Sequence, residues 1–484
     1  MTRLQWMAVS PADTGIWQPL GLEYDASMQR QYEKREMKHM QANGLMKVGL
    51  TEIGLTKGCH TKDRLSRRIV VTLAALLAPS FAFAEAANIP TFVASASDQI
   101  VPVSRSRLSM RDQGALVKQI EGLSERIVAE AKISGMAVTI VQDDKILLER
   151  GFGVVDTGGQ EKVGTATVFR IASLSKAFAG TLSAMLVDDG ALRWDTRVAD
   201  HLPVFKLRDV HAAQVLTVKD ILSHRSGLPY NTYDRKLEAD EPYPLLVAQL
   251  GTVPPLCDAG QCYSYQNVAF SLIGDLVFAS TGDFYSHQVE KRLFHPLGMY
   301  NATYGRDALE ASTSWARPHV RRGGRWVAVR PKETYYRIPP AAGVNASIHD
   351  LALWLQAQMG QRPDVLSPDV LASVQASLVQ TPGELRGSMW RRERLRDAHY
   401  GLGWRVYDFA GTRVIFHGGA VQGYRALVGF VPEHGFGIAM VWNCESGVPF
   451  GLFPTVLDRY LGQPQRDWLE LHKFKPRVAT RRRR

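Results

Sequence analysis

The sequence predicts an α+β protein: an antiparallel sheet flanked by helices, plus a mostly helical lobe, with the functional cleft between the two. Three observations carry that expectation. β-Branched runs cluster near residues 136–155, the stretch from about 195 to 395 is mixed and mostly helix and turn, and strand-like runs return between 402 and 442. Strands at both ends of a domain with helices between them fit one sheet assembled from distant segments.

In chain order, Leu116, Ile120, Leu123, Ile127 and Ala131 recur near the helical period, which predicts a helix over 116–132 that ends before Gly135. The runs 136–141 and 146–155 surround Asp143-Asp144-Lys145 and read as a hairpin. An apolar run over 168–172 then gives way at Ser173 to a helix with a core stripe of Leu174, Phe178, Leu182 and Leu186, stopped by Gly190. The middle holds turn-rich phrases, among them Arg225-Ser226-Gly227-Leu228-Pro229 and Pro296-Leu297-Gly298. Strands follow at 402–406, 413–416, 425–431 and 437–442, the last two joined by a turn at Pro432-Glu433-His434-Gly435. An amphipathic helix over 452–461 closes the domain, and there is no internal repeat.

With 484 residues, 45% of them hydrophobic, the chain is long enough for a large core. Its net charge of +11 suggests a nucleic-acid binder, but the distribution argues against one. Residues 471–484 carry seven Lys/Arg and no acid, and residues 1–84 carry eleven against seven Asp/Glu, so residues 85–470 are neutral. The run Arg481 to Arg484 reads as a solvated tail.

Lys62, Arg64, Arg67 and Arg68, an apolar run over 69–84, and Ala82-Phe83-Ala84 before Glu85 have the order of a secretory signal peptide cleaved near Ala84. The run is short for a membrane span. The basic stretch begins far from Met1, so the expected true start is Met40 or Met46. The expected organisation is an over-extended start plus signal peptide over 1–84, a linker over 85–115, the main domain over 116–461 and a basic tail over 462–484. The expected location is the periplasm or the exterior. Of four cysteines, Cys59 falls in the leader and Cys444 is expected to stay free. Cys257 and Cys262 flank a short flexible turn and are the candidate disulfide pair for an oxidising compartment. No Cys or His spacing suggests a metal.

The chemistry starts at Ser173-Leu174-Ser175-Lys176. A serine three residues before a lysine at a helix start places both side chains on one face of the first turn. The helix N-terminus offers free N–H groups, and a partly desolvated lysine can lose its proton near neutral pH and act as a base. Tyr265-Gln266-Asn267 adds a phenol, to be held as phenolate or to shuttle a proton, and a carboxamide that can pair with a substrate amide. His417-Gly418-Gly419-Ala420 follows the strand 413–416. Gly419 and its neighbour let a substrate backbone approach closely. The Ala420 N–H is positioned to join that of Ser173 as an oxyanion hole, and His417 to meet Tyr265 or substrate.

In the order S-x-x-K, Y-x-N, H-x-G, these elements resemble the serine β-lactamase and penicillin-binding superfamily, in its class C β-lactamase and DD-peptidase-like branch. Further shared phrases are Leu222-Ser223-His224-Arg225-Ser226-Gly227-Leu228-Pro229, His295-Pro296-Leu297-Gly298-Met299 and Tyr400-Gly401-Leu402-Gly403-Trp404. The resemblance implies a β-lactamase/DD-peptidase-like fold and an acyl-enzyme on Ser173. Lys176 and Tyr265 would manage protons, Asn267 would orient the acyl group, and no cofactor would be needed. Class C enzymes typically carry Lys-Thr-Gly where this chain has His417-Gly418-Gly419, which resembles DD-carboxypeptidases, D-aminopeptidases and esterases of the branch. The expectation is an exported serine hydrolase acting on a small molecule or a peptidoglycan-like peptide. The alternatives are a class C-like β-lactamase or an inactive penicillin-binding scaffold. No nucleic-acid partner and no stable membrane span are expected, and the oligomeric state is left open.

Overall fold

The computed structural model describes residues 110–474. The expected signal segment, Cys59, the linker up to residue 109 and the arginine run 481–484 lie outside the described residues. Helix α1 (Met110–Glu130) begins six residues before its predicted start and buries Leu116, Ile120 and Ile127. A hairpin follows, β1 (Gly135–Gln142) and β2 (Lys145–Gly153), turning at Asp143 with a left-handed φ of 54°. Next come β3 (Val168–Arg170), a 3-10 turn over Ala172–Leu174, and α2 (Ser175–Asp188).

The elements of the helical middle used below are α3 (Asp234–Glu238), α4 (Leu272–Thr281), β4 (Thr303–Tyr304), the hairpin β5 (His319–Arg322) with β6 (Arg325–Ala328), α5 (Pro339–Ala342), β7 (Val344–Ser347) and α6 (Ile348–Gln358). The chain ends in β8 (Val379–Gln380), β9 (Leu395–Tyr400), β10 (Arg405–Phe409), β11 (Thr412–Val421), β12 (Tyr424–Val431), β13 (Phe436–Trp442) and α7 (Leu452–Tyr460).

The main sheet is antiparallel with the order β2-β1-β13-β12-β11-β10-β9-β8. The early hairpin and the late meander therefore join, β1 lying beside β13 with Met136 opposite Trp442. Both strands are buried along their whole length, because each face of the sheet carries its own core. Met136, Val138, Ile140, Met440 and Trp442 pack with Ile120 and Ile127 of α1 and Val456 of α7. Ala137, Val141, Ala439 and Val441 pack on the other side with Leu351 and Leu355 of α6 and with α2. Each buried Ile, Leu or Val side chain contributes about 1.5–3 kcal/mol. The small sheet β3-β7-β4 carries the chain into the Ser173 turn.

Several boundaries differ from expectation. Residues 402–404, predicted as strand, form a tight turn against α2: a Cβ on Gly403 (φ 83°) would lie 2.1 Å from the Lys176 carbonyl oxygen, and one on Gly180 2.0 Å from that of Leu402. Strand β9 was not predicted. β11 runs to Val421, past the predicted end at 416, because its last residues pair with β12, Gly418 opposite Leu427 and Ala420 opposite Arg425. The described fold also continues past 461, since Leu469 and Leu471 are buried in the α1–α7 core.

Candidate active site

The Ser173 turn is locally strained. Ala172 has a φ of 52°, in the left-handed region, which costs a non-glycine residue on the order of 1 kcal/mol. Neighbouring bonds hold it there. The Ser175 hydroxyl donates to the Ala172 carbonyl (2.7 Å) and accepts the Val344 N–H (3.0 Å), while the Ile171 N–H donates to the Val344 carbonyl (3.1 Å). The result leaves Ser173 half-buried one turn from a wholly buried Lys176.

The Lys176 ammonium donates to Asn267 Oδ1 (2.7 Å) and to the Ala341 carbonyl of α5 (3.1 Å), and lies 4.6 Å from the Tyr265 ring centre. Burial lowers its pKa to about 7; the Asp234 carboxylate opposes that shift and the Arg405 guanidinium adds to it. Tyr265 is within hydrogen-bonding reach of the Ser173 side chain, yet burial holds its phenol well above the usual range. It is therefore a neutral hydroxyl, which favours the proton-shuttle role over a phenolate.

Tyr265 is positioned by the turn that the sequence marked at 222–229. The His224 ring packs on it with centres 4.3 Å apart, and His224 Nδ1 accepts the Gln266 N–H (3.1 Å). The Cys257–Cys262 disulfide is present, and its loop is tied to the same turn by Leu256 N–H to Gly227 O and Gly260 N–H to Arg225 O, both 2.7 Å. Cys444 is a buried free thiol.

Asn267 stands between two charged groups. Its Oδ1 accepts from Lys176, and its Nδ2 donates to Asp234 Oδ2 (2.7 Å). Burial raises the Asp234 carboxyl to about 6, partly offset by the Asn267 hydrogen bond. Asp234 escaped sequence reasoning because it lies in an unremarkable short helix, far in sequence from the residues it serves.

On the sheet side, β10 pairs with β11 only up to Arg405 opposite Phe416, so residues 417–421 of β11 have no strand neighbour on that edge among the described residues. This edge packs on the nucleophile turn: a Cβ on Gly419 would lie 2.1 Å from the Ile171 carbonyl oxygen. Gly419 is thus required by close backbone approach, and Ala420 follows it along the same edge.

His417 does not hydrogen-bond Tyr265, one of its two expected partners. Its Nδ1 donates to the Gly418 carbonyl (2.8 Å) and its Nε2 accepts from the Tyr400 hydroxyl (3.1 Å), so neither ring nitrogen is given to Tyr265. Burial holds it well below the usual range and therefore neutral. The cation in this part of the site is Arg405, 6.0 Å from the Tyr265 ring centre and 5.8 Å from that of Tyr400, paired to Glu384 at 2.5 Å. Neither Arg405 nor Tyr400 was singled out from sequence as a site residue.

Comparisons with known proteins bear on the family and the fold. The beta-lactamase family profile matches residues 120–460. The chain is 28% identical over 344 residues to penicillin-binding protein 4 of Amycolatopsis lactamdurans, covering 69% of this chain and 86% of that protein. Among solved structures, the fold is similar to the octameric penicillin-binding protein homologue from Pyrococcus abyssi (TM-score 0.64, 23% identity, 72% of this chain and 78% of that one). It is also similar to a class C beta lactamase (TM-score 0.59, 23% identity, 72% of this chain and 98% of that one).

Proposed function

The chain belongs to the beta-lactamase family of serine hydrolases, and from that premise we propose an exported enzyme that cleaves a peptide, amide or ester through an acyl-enzyme on Ser173. The observation that carries the reading is Lys176: wholly buried, with a pKa of about 7, and held by groups from two other elements one turn from a half-buried serine. A neutral Lys176 keeps two N–H groups for Asn267 and Ala341 and has a lone pair left for the serine proton.

Ser173 Oγ attacks the substrate carbonyl as its proton passes to Lys176. The N–H groups of Ser173 and Ala420 hold the oxyanion. The Tyr265 hydroxyl gives its proton to the leaving group and is reprotonated from Lys176. Water then attacks the ester carbonyl and restores Ser173. A neutral His417 supplies no fixed charge for a substrate carboxylate, whether of a β-lactam or of a peptide C-terminus, which favours a D-aminopeptidase or esterase over a DD-carboxypeptidase or β-lactamase. A disulfide beside Tyr265 supports an oxidising compartment, and mature protein beginning at Glu85 is the expected result of N-terminal sequencing.

The test is intact mass after exposure to a penicillin and, separately, to a fluorophosphonate, with Ser173→Ala as control. Ser173-dependent labelling by fluorophosphonate is expected. A lasting penicilloyl adduct points to a DD-peptidase, and penicillin hydrolysed without an adduct points to a β-lactamase. Absence of Ser173-dependent labelling by either reagent refutes the reading.

A further inference from the structure

Beyond Asp234 lies a cavity of about 610 Å3 whose walls include Tyr230, Asn231, Tyr233, Asp234, Glu238 and Tyr335. Three of its wall residues touch Tyr265 or Asn267. The Asn231 N–H donates to the Tyr265 carbonyl (2.9 Å), the Tyr230 and Tyr265 rings lie 6.2 Å apart, and Asp234 binds Asn267.

Two acceptor atoms of these walls, Asp234 Oδ1 and Asn231 Oδ1, are buried without a hydrogen-bond partner among the described residues, and Asp234 as a whole is only 9% exposed. Buried acceptors are costly to leave unpaired. The Tyr335 hydroxyl is within hydrogen-bonding reach of the Asp234 carboxylate, but its single proton goes to Glu238 Oε1 (2.9 Å). Arg235 and Lys236 also border the cavity from the exposed side of α3, and the Lys236 ammonium is drawn off by Gln249 and Glu241. The unmet need is for a compact group rich in donors, and a carboxylate with a carbonyl-type oxygen beside it selects a positive one.

We infer that this cavity receives a free primary ammonium carried on the acyl part of the substrate, so that the enzyme prefers amides or peptides with an unblocked amino group on the acyl side. The inference rests on the acyl-enzyme reading above and adds the substrate class to it. At the buried wall a substrate carboxylate is disfavoured, since it would face Asp234 and Glu238, while Arg235 and Lys236 border only the exposed side.

The experiment compares kcat/KM for pairs of p-nitroanilides with the amine free or acetylated: D-alanyl, L-alanyl and 6-aminohexanoyl, which place the ammonium near to or far from the carbonyl. The free amine is expected to be favoured by about 10- to 100-fold in at least one pair, the effect of one charge-assisted hydrogen-bonded contact. Asp234→Asn and Asn231→Leu should each bring that ratio toward one, measured on variants still labelled by fluorophosphonate. Ser173-dependent turnover with no preference in any pair overturns the inference and leaves the acyl-enzyme reading standing. A wild-type ratio in both labelled variants overturns it too. Loss of all Ser173-dependent turnover and labelling removes both.

Discussion

The two sides of Asn267 are built on opposite plans. On one, Lys176 is fully buried and its ammonium is already placed on Asn267 and Ala341. On the other, Asp234 and Asn231 each keep one buried oxygen atom that accepts no hydrogen bond from the described residues. One carboxamide joins a side that is complete before substrate arrives to a side that is incomplete without it. The first plan suits chemistry, whose groups must be in place beforehand; the second suits selection, where the missing partner is the thing recognised.

The largest expected effect tests the complete side. Lys176→Ala should lower kcat by about 10²–10⁴-fold, as for loss of a general base, and His417→Ala by about tenfold, since His417 is neutral and tied to Tyr400 and Gly418. Equal losses in stopped assays on an activated ester would erase the distinction drawn between them. The pH profile sharpens the link across Asn267. Lys176 must be neutral to accept a proton, so kcat/KM should rise with pH through about 7. The Asp234 carboxylate raises the Lys176 pKa, so Asp234→Asn should move that rising limb to lower pH; a limb that moves up or stays still refutes the coupling. The smallest effect concerns the scaffold. The paired Cys257→Ser and Cys262→Ser variant opens a six-residue loop and should lose about 2 kcal/mol in denaturant unfolding.

Local chemistry made part of this site legible. Ser173 with Lys176, and Tyr265 with Asn267, are close in sequence and carry their own spacing, so the four can be named without a structure. Asp234, Tyr400 and Arg405 cannot, because their roles depend on contacts between distant segments. The same divide runs through the fold. The 136–155 hairpin and the strands near 425–442 show in β-branched periodicity, whereas β9 is Leu-Arg-Asp-Ala-His-Tyr and owes its form to pairing with β10. Gly418 and Gly419 carry no strand propensity, yet β12 extends β11 through them.

The β1–β13 seam has a consequence for how the molecule comes into being. Met136 meets Trp442 across more than three hundred residues, and β13 fills the gap between the early hairpin and the rest of the sheet. A ribosome that has made the Ser173 turn has not yet made the strand edge that packs on it. Closing so long a loop is entropically slow, so the nucleophile stays incomplete until nearly the whole chain has been synthesised. A chain cut short before Phe436 would carry Ser173, Lys176, Tyr265 and His417 and still lack the strand that joins the early hairpin to the rest of the sheet.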